Sequence, residues 1–288
     1  MSGKVIAFAL AALAVVPSAT SQVVVATTVF RTVNLRPDAI TAFRIACPPG
    51  YLPVSAGVST PAQGASTLGI RPTGQRAYTF RFGNPRNNPA RLVTVAAACR
   101  GVPATPKAPS LTLTQVKTKP IAVPASGQKS VALPCPQGTL PAGSGLDLDP
   151  GRSGGSAPHF GGSSLSVRRL TETLKAFSLT VRNTGSSTRS AVLYGNCLTL
   201  VRPAHAPRER LQVNVSTWTM PLHPGAQLVS KSCGRGWFSL GTGYSLSPTV
   251  RLGGSAAITG GGRWALTNLA GVQTLADVQL VCGRLLLG

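Results

Sequence analysis

Cys47–Gly57 reads CPPGYLPVSAG, Cys135–Gly145 reads CPQGTLPAGSG and Cys233–Gly243 reads CGRGWFSLGTG. In each stretch one glycine stands three residues after the cysteine (Gly50, Gly138, Gly236) and another stands ten after it (Gly57, Gly145, Gly243). Two copies share a proline six residues on (Pro53, Pro141) and two share a glycine eight residues on (Gly143, Gly241). Fixed offsets in three copies mark an internal repeat, and a repeat constrains the fold more than any local propensity.

The remaining cysteines close the units. An Asn precedes Cys99 by 15 residues (Asn84) and precedes Cys197 and Cys282 by 14 (Asn183, Asn268). Before each Asn runs an apolar alternation: Tyr78/Phe80/Phe82, Phe177/Leu179/Val181 and Trp264/Leu266. After it come turn-forming residues and a second apolar run into the Cys, a pattern that predicts a β-hairpin. The front of each unit, ATTVFRTVNLRP, LTQVKTKPIAVP or VNVSTWTMPLHP, is strand-like, and a short strand then leads into the first Cys. The unit therefore reads strand, turn, strand, Cys, Gly-rich loop, variable loop, hairpin, Cys. Steps of 88, 98, 98 and 85 residues between equivalent cysteines set the repeat length.

Three domains follow: 22–109, 110–207 and 208–288, after an N-terminal leader at 1–21. The leader has a positive start at Met1–Lys4, a 12-residue apolar run at Val5–Val16 and small residues before Gln22. This is the layout of a secretory signal peptide, and the run falls short of the roughly 20 apolar residues of a spanning helix. The mature chain is expected outside the cytoplasm, secreted or at the cell surface, with no membrane span. Six cysteines in such a compartment favour disulfides, and a repeat should reproduce its bridge, so the pairs expected are Cys47–Cys99, Cys135–Cys197 and Cys233–Cys282. In the chain-entropy model each would contribute roughly 4 kcal/mol.

Helical composition is confined to the leader and to Ser166–Lys175, which allows one or two turns. The fold class is all-β: three tandem homologous antiparallel units, one disulfide each, as a row of small β-sandwiches or else as a pseudo-threefold β-prism. Cys-Pro-x-Gly loops in a threefold β protein resemble those of the vitelline membrane outer-layer family. That resemblance covers only the short loops, and no residue role is carried over from it.

The 288 residues hold 28 Lys+Arg against 6 Asp+Glu, a net charge of +22. The three domains carry +9, +7 and +5, so the charge is spread along the chain. A surface of this sign attracts envelope polyanions, such as acidic glycans or lipopolysaccharide, while no reading helix or aromatic-interleaved basic motif supports sequence-specific nucleic-acid binding. Arg71, Arg76, Arg81, Arg86 and Arg91 recur every five residues; an odd step alternates strand faces, so they are expected on solvated edges and turns. His159, His205 and His223 are isolated, which excludes a metal site built from converging histidines. Asp147 or Asp149 with His159 makes a triad only on paper, for no nucleophile-elbow sequence accompanies them. The Gly-rich stretches lack the Lys-Ser/Thr of a phosphate-cradling loop and are expected to turn tightly. Asn214-Val215-Ser216 is a lone sequon in a strand-like run.

No catalytic residue, cofactor or metal is expected. The leading expectation is an exported, non-enzymatic structural protein, a subunit of an extracellular filament or surface layer that associates with itself or with other envelope proteins. Gln22–Leu35 is the first strand of the first unit or, alternatively, a donor strand for a neighbour. The second expectation is a cationic or lectin-like binding module for envelope polyanions or glycans.

Overall fold

The computed structural model describes residues 25–60, 65–101, 110–150, 165–201 and 210–286. The leader, most of both inter-repeat connectors, His159 and His205 lie outside these residues. Among the described residues there are nineteen strands, one 3-10 turn at Gly74–Arg76 and no α-helix.

The first repeat holds β1 (Val25–Leu35), β2 (Ala39–Ala46), β3 (Leu52–Thr60), β4 (Ser66–Thr73), β5 (Ala77–Asn84) and β6 (Arg91–Gly101). The second holds β7 (Ser110–Lys117), β8 (Ile121–Val123), β9 (Gln128–Pro134), β10 (Leu140–Leu148), β11 (Leu165–Glu172), β12 (Ala176–Asn183) and β13 (Arg189–Val201). The third holds β14 (Arg210–Leu222), β15 (Gly225–Ser232), β16 (Phe238–Leu246), β17 (Val250–Ile258), β18 (Gly261–Asn268) and β19 (Thr274–Leu286). Alternation makes these strands: Tyr78, Phe80 and Phe82 on β5 are all buried, and Phe43 of β2 stacks on Phe80 and Phe82 at 5.6 and 5.9 Å between ring centroids.

Each repeat contributes to two antiparallel layers by one recipe. With β7 and β8 counted as one interrupted strand, the first, third and last strands join as β1-β6-β3, as β7-β13-β10 with β8 also on β13, and as β14-β19-β16. The middle strands join as β2-β5-β4, β9-β12-β11 and β15-β18-β17. The expected hairpin around each Asn is therefore absent, because β5 and β6, β12 and β13, and β18 and β19 lie in different layers. The real hairpin is one strand earlier, β4–β5, β11–β12 and β17–β18. Each Asn explains the switch of layer. Buried Asn84 donates through Nδ2 to Leu35 O and Pro89 O, Asn183 to Val123 O, Pro124 O and Ser187 O, and Asn268 to Leu222 O and Val272 O. One side chain thus fastens the corner after the first strand to the corner before the last.

Two other expectations are corrected. Ser166–Lys175 is not helical: most of it is β11, which pairs with β12 on one side and β16 on the other, and two ladders outweigh its helical composition. The Gly-rich stretches are loops only at their first glycine. Gly50, Gly138 and Gly236 have φ of 82°, 79° and 78°, as a tight turn requires, and the rest of each stretch is strand β3, β10 or β16.

The repeats share sheets. In the joint of β4 with β10, Ile70 opposes Leu146 and Gly69 opposes Asp147; in that of β11 with β16, Leu170 opposes Tyr244 and Arg169 opposes Ser245. The second conserved offset of the repeat falls on these joints. A Cβ on Gly145 would stand 2.5 Å from Ile70 O, and one on Gly243 would stand 2.6 Å from Leu170 O. Gly57 meets Ser255 O of β17 in the same way, and a Cβ on Gly254 would stand 2.5 Å from Val58 O, so the last repeat returns to the first. Three core clusters centre on one repeat each. A fourth combines Val54 and Ala98 with Leu111, Ala142 and Leu198 and with Phe238, Leu240, Ala257 and Val281. This fourth cluster draws apolar side chains from all three repeats together.

Candidate functional site

The six cysteines pair as Cys47–Cys99, Cys135–Cys197 and Cys233–Cys282, with Cα atoms 5.7, 5.7 and 5.6 Å apart. Each bridge runs from the residue after β2, β9 or β15 to the last strand of its repeat, and so ties the two layers covalently. Three disulfides fit an extracellular protein. No helix among the described residues is long and apolar enough to cross a membrane.

The arginine series is dispersed. Arg76 lies in the 3-10 turn and Arg86 follows β5, whereas Arg81 is buried and donates through Nη1 to Asp147 Oδ1 at 2.6 Å. Arg71 stands 3.9 Å from the other carboxylate oxygen. The expectation that all five decorate solvated edges is thus corrected for Arg81, since Asp147 comes from a strand 66 residues away. Arg100 is likewise in the core: it is 0% exposed and donates to Ser239 O at 2.7 and 3.0 Å and to Ser239 Oγ at 2.8 Å. Periodicity could not find either residue, because their partners lie in other repeats.

Of the paper triad, His159 lies outside the described residues, and both aspartates have arginine partners. Asp147 holds Arg81, and Asp149 holds Arg189 at 3.6 Å. No group of three His, Cys, Asp or Glu side chains among the described residues could hold a metal ion. Glu172 is a carboxylate that the sequence reading passed over. It is fully buried, with Ser144 Oγ donating to Oε1 at 3.2 Å, the amides of Gly143 and Ser144 also donating to it, and its own backbone N–H donating to Gln279 Oε1 at 2.7 Å. Burial pushes its carboxyl up to about 7 against those hydrogen bonds.

The surface feature with most reach is the set of sheet edges. Among the described residues β1, β2, β3, β7, β8, β9, β14, β15 and β17 are each hydrogen-bonded on one side alone, with β3 and β17 packed against each other. Arg44 charges β2, and Lys117, Lys129 and Lys231 do so for β7, β9 and β15, a common guard against edge-to-edge pairing. The two longest edges are less guarded. In β1 the one charge, Arg31, turns back onto Arg44 O at 2.9 Å and the Phe43 ring at 5.5 Å. In β14 the run Leu211–Met220 carries no charge, and Asn214 of the sequon lies exposed within it. Of the stretch Gln22–Leu35, the described part Val25–Leu35 is the first strand of its own repeat, paired with β6 from Val25↔Gly101 to Leu35↔Arg91, and among the described residues its other side is unpaired.

No protein-family model matches this chain, and no curated protein matches it either.

Proposed function

We propose that the chain is an exported, non-enzymatic structural protein, the subunit of an extracellular filament or surface layer assembled through strand contacts. The observation that carries this reading is the pair of long, weakly guarded edges, β1 with 11 residues and β14 with 13. They belong to different sheets, so β1 of one copy set against β14 of the next is a heterologous contact, which propagates unless its rotation closes. The repeats form a pseudo-threefold prism in this reading, each hairpin layer adding to the next repeat's layer and β17 completing the circuit at β3. Three disulfides and a shared core suit a subunit that must stay folded outside a cell.

Negative-stain electron microscopy of the mature, oxidised protein in high salt tests the reading. Filaments or sheets are expected, and F30K/N214K, which places a charge on each edge, disperses them while leaving the far-ultraviolet circular dichroism spectrum unchanged. Single particles for the unaltered protein at every concentration overturn it.

A further inference from the structure

Where β11 meets β16, a solvent-open cleft of about 380 Å³ is lined by Arg168, Arg169 and Arg182 among its nine residues. Arg168 is anchored, donating through Nη1 to the carbonyls of Ser247, Pro248 and Val250 at 3.4, 3.2 and 3.4 Å. Its buried Nε has no partner. Among the described residues no carboxylate pairs with any of the three, the ion pairs being those of Arg71 and Arg81 with Asp147 and of Arg189 with Asp149. Burial, with Arg182 and Arg251 adding like-charge repulsion, holds the pKa of Arg168 below the usual arginine value.

The preceding joint shows what this one lacks. Asp147 and Ser245 both lie twelve residues after the first cysteine of their repeats, and both oppose the hairpin strand of the preceding repeat. At the β4–β10 joint that position is a carboxylate, and it neutralises Arg81 and Arg71. At the β11–β16 joint it is a hydroxyl, while the strand opposite presents Arg169. Among the described residues this joint has no counter-ion, and it carries three arginines where the other carries two.

We propose that this cleft binds an anionic glycan, a phosphate or sulfate ester taking the place that Asp147 fills at the neighbouring joint. Guanidinium forks match such oxyanions two hydrogen bonds at a time. Gln128, Ser130, Thr180 and Ser245 line the same cleft with the amide and hydroxyl groups that sugar hydroxyls require. Among the described residues no aromatic ring lines it on which a base could stack, which favours a glycan over a single-stranded nucleic acid. The site is independent of the two open edges and stands or falls separately from assembly.

Isothermal titration of the mature, oxidised protein tests it, with a sulfated hexasaccharide and a phosphorylated oligosaccharide as probes and their uncharged parents as controls. One of the charged probes is expected to bind, and the tighter one names the ester. S245D, which installs the internal counter-ion, and R169Q/R182Q each weaken binding about tenfold or more, whereas R36Q, an exposed arginine elsewhere, changes it less than about twofold. R169Q/R182Q alters exposed side chains and decides the matter alone if S245D fails to fold. Unchanged affinity in R169Q/R182Q, an equal loss in R36Q, equal binding of the uncharged parents, no binding of either charged probe, or tighter binding of a charge-matched oligothymidylate would each overturn the proposal.

Discussion

Asn84, Asn183 and Asn268 occupy one position in three corners, yet their hydrogen bonding is graded. Asn183 shares its Nδ2 among three carbonyls and accepts from Gly185 N at 2.9 Å. Asn268 serves two carbonyls and accepts from Ala270 N at 2.9 Å, whereas Asn84 serves two and its buried Oδ1 has no partner. Substitution by Ala strands those carbonyls in the protein interior, at about 1–3 kcal/mol for each buried group left unsatisfied. The expected order of destabilisation is N183A, then N268A, then N84A, measured by urea denaturation of the oxidised protein. Equal losses would mean that the corners rest on backbone turns and not on the side chain. Glu172 supplies a second residue-level expectation. Its carboxyl titrates at about 7 in the folded chain against 4.5 as its ordinary value, so the folded state holds the proton more tightly. The stability this group contributes is therefore complete below about pH 4.5 and declines as pH rises through 7, by about 3 kcal/mol in all at 1.36 kcal/mol per unit. Thermal melts from pH 4 to 8 should show that decline in the unaltered protein, and E172Q should flatten it.

At the level of elements, the repeat's two conserved glycines do different work. Gly138 gives the backbone a positive φ at the turn into β10, while Gly145, on the strand itself, lets the carbonyl of Ile70 approach where any Cβ would collide. G145V should therefore force β4 and β10 apart and cost about 3 kcal/mol, the upper range for an overpacked site. G271V, on an exposed turn with nothing within 4 Å of its Cβ, should stay within about 0.5 kcal/mol of the unaltered protein. A loss for G145V no larger than for G271V would remove the joint as the reason for that glycine.

For the whole molecule, the fourth core joins the three repeats, since Val54, Leu198 and Phe238, one from each, are buried in a single cluster. A single unfolding transition is expected by calorimetry for the oxidised chain, and separate transitions would mean that the repeats melt alone. The buried polar contacts between repeats differ from joint to joint: Arg81–Asp147 and Asn196–Tyr78 between the first and second, Glu172–Gln279 between the second and third, Arg100–Ser239 between the third and first. Contacts so unlike give each repeat one proper neighbour, since pairing in another order would leave charged groups buried without partners.

How much of this was legible in the sequence depends on the reach of each signal. The all-β class, the disulfide pairing, the turn at Gly50 and its equivalents, and the strand at Val25–Leu35 follow from composition, alternation and repeat offsets, which record local backbone needs copied three times. The switch of layer at each Asn, the strand at Leu165–Glu172, the burial of Arg81 and Arg100 and the hydroxyl of Ser245 opposite Arg169 were settled by contacts between repeats. A hairpin and a corner look alike along the chain, and an arginine reads as a surface residue until its partner, more than sixty residues away, comes into view. Local periodicity states which face of a strand is apolar; only the tertiary structure decides which sheet that face meets.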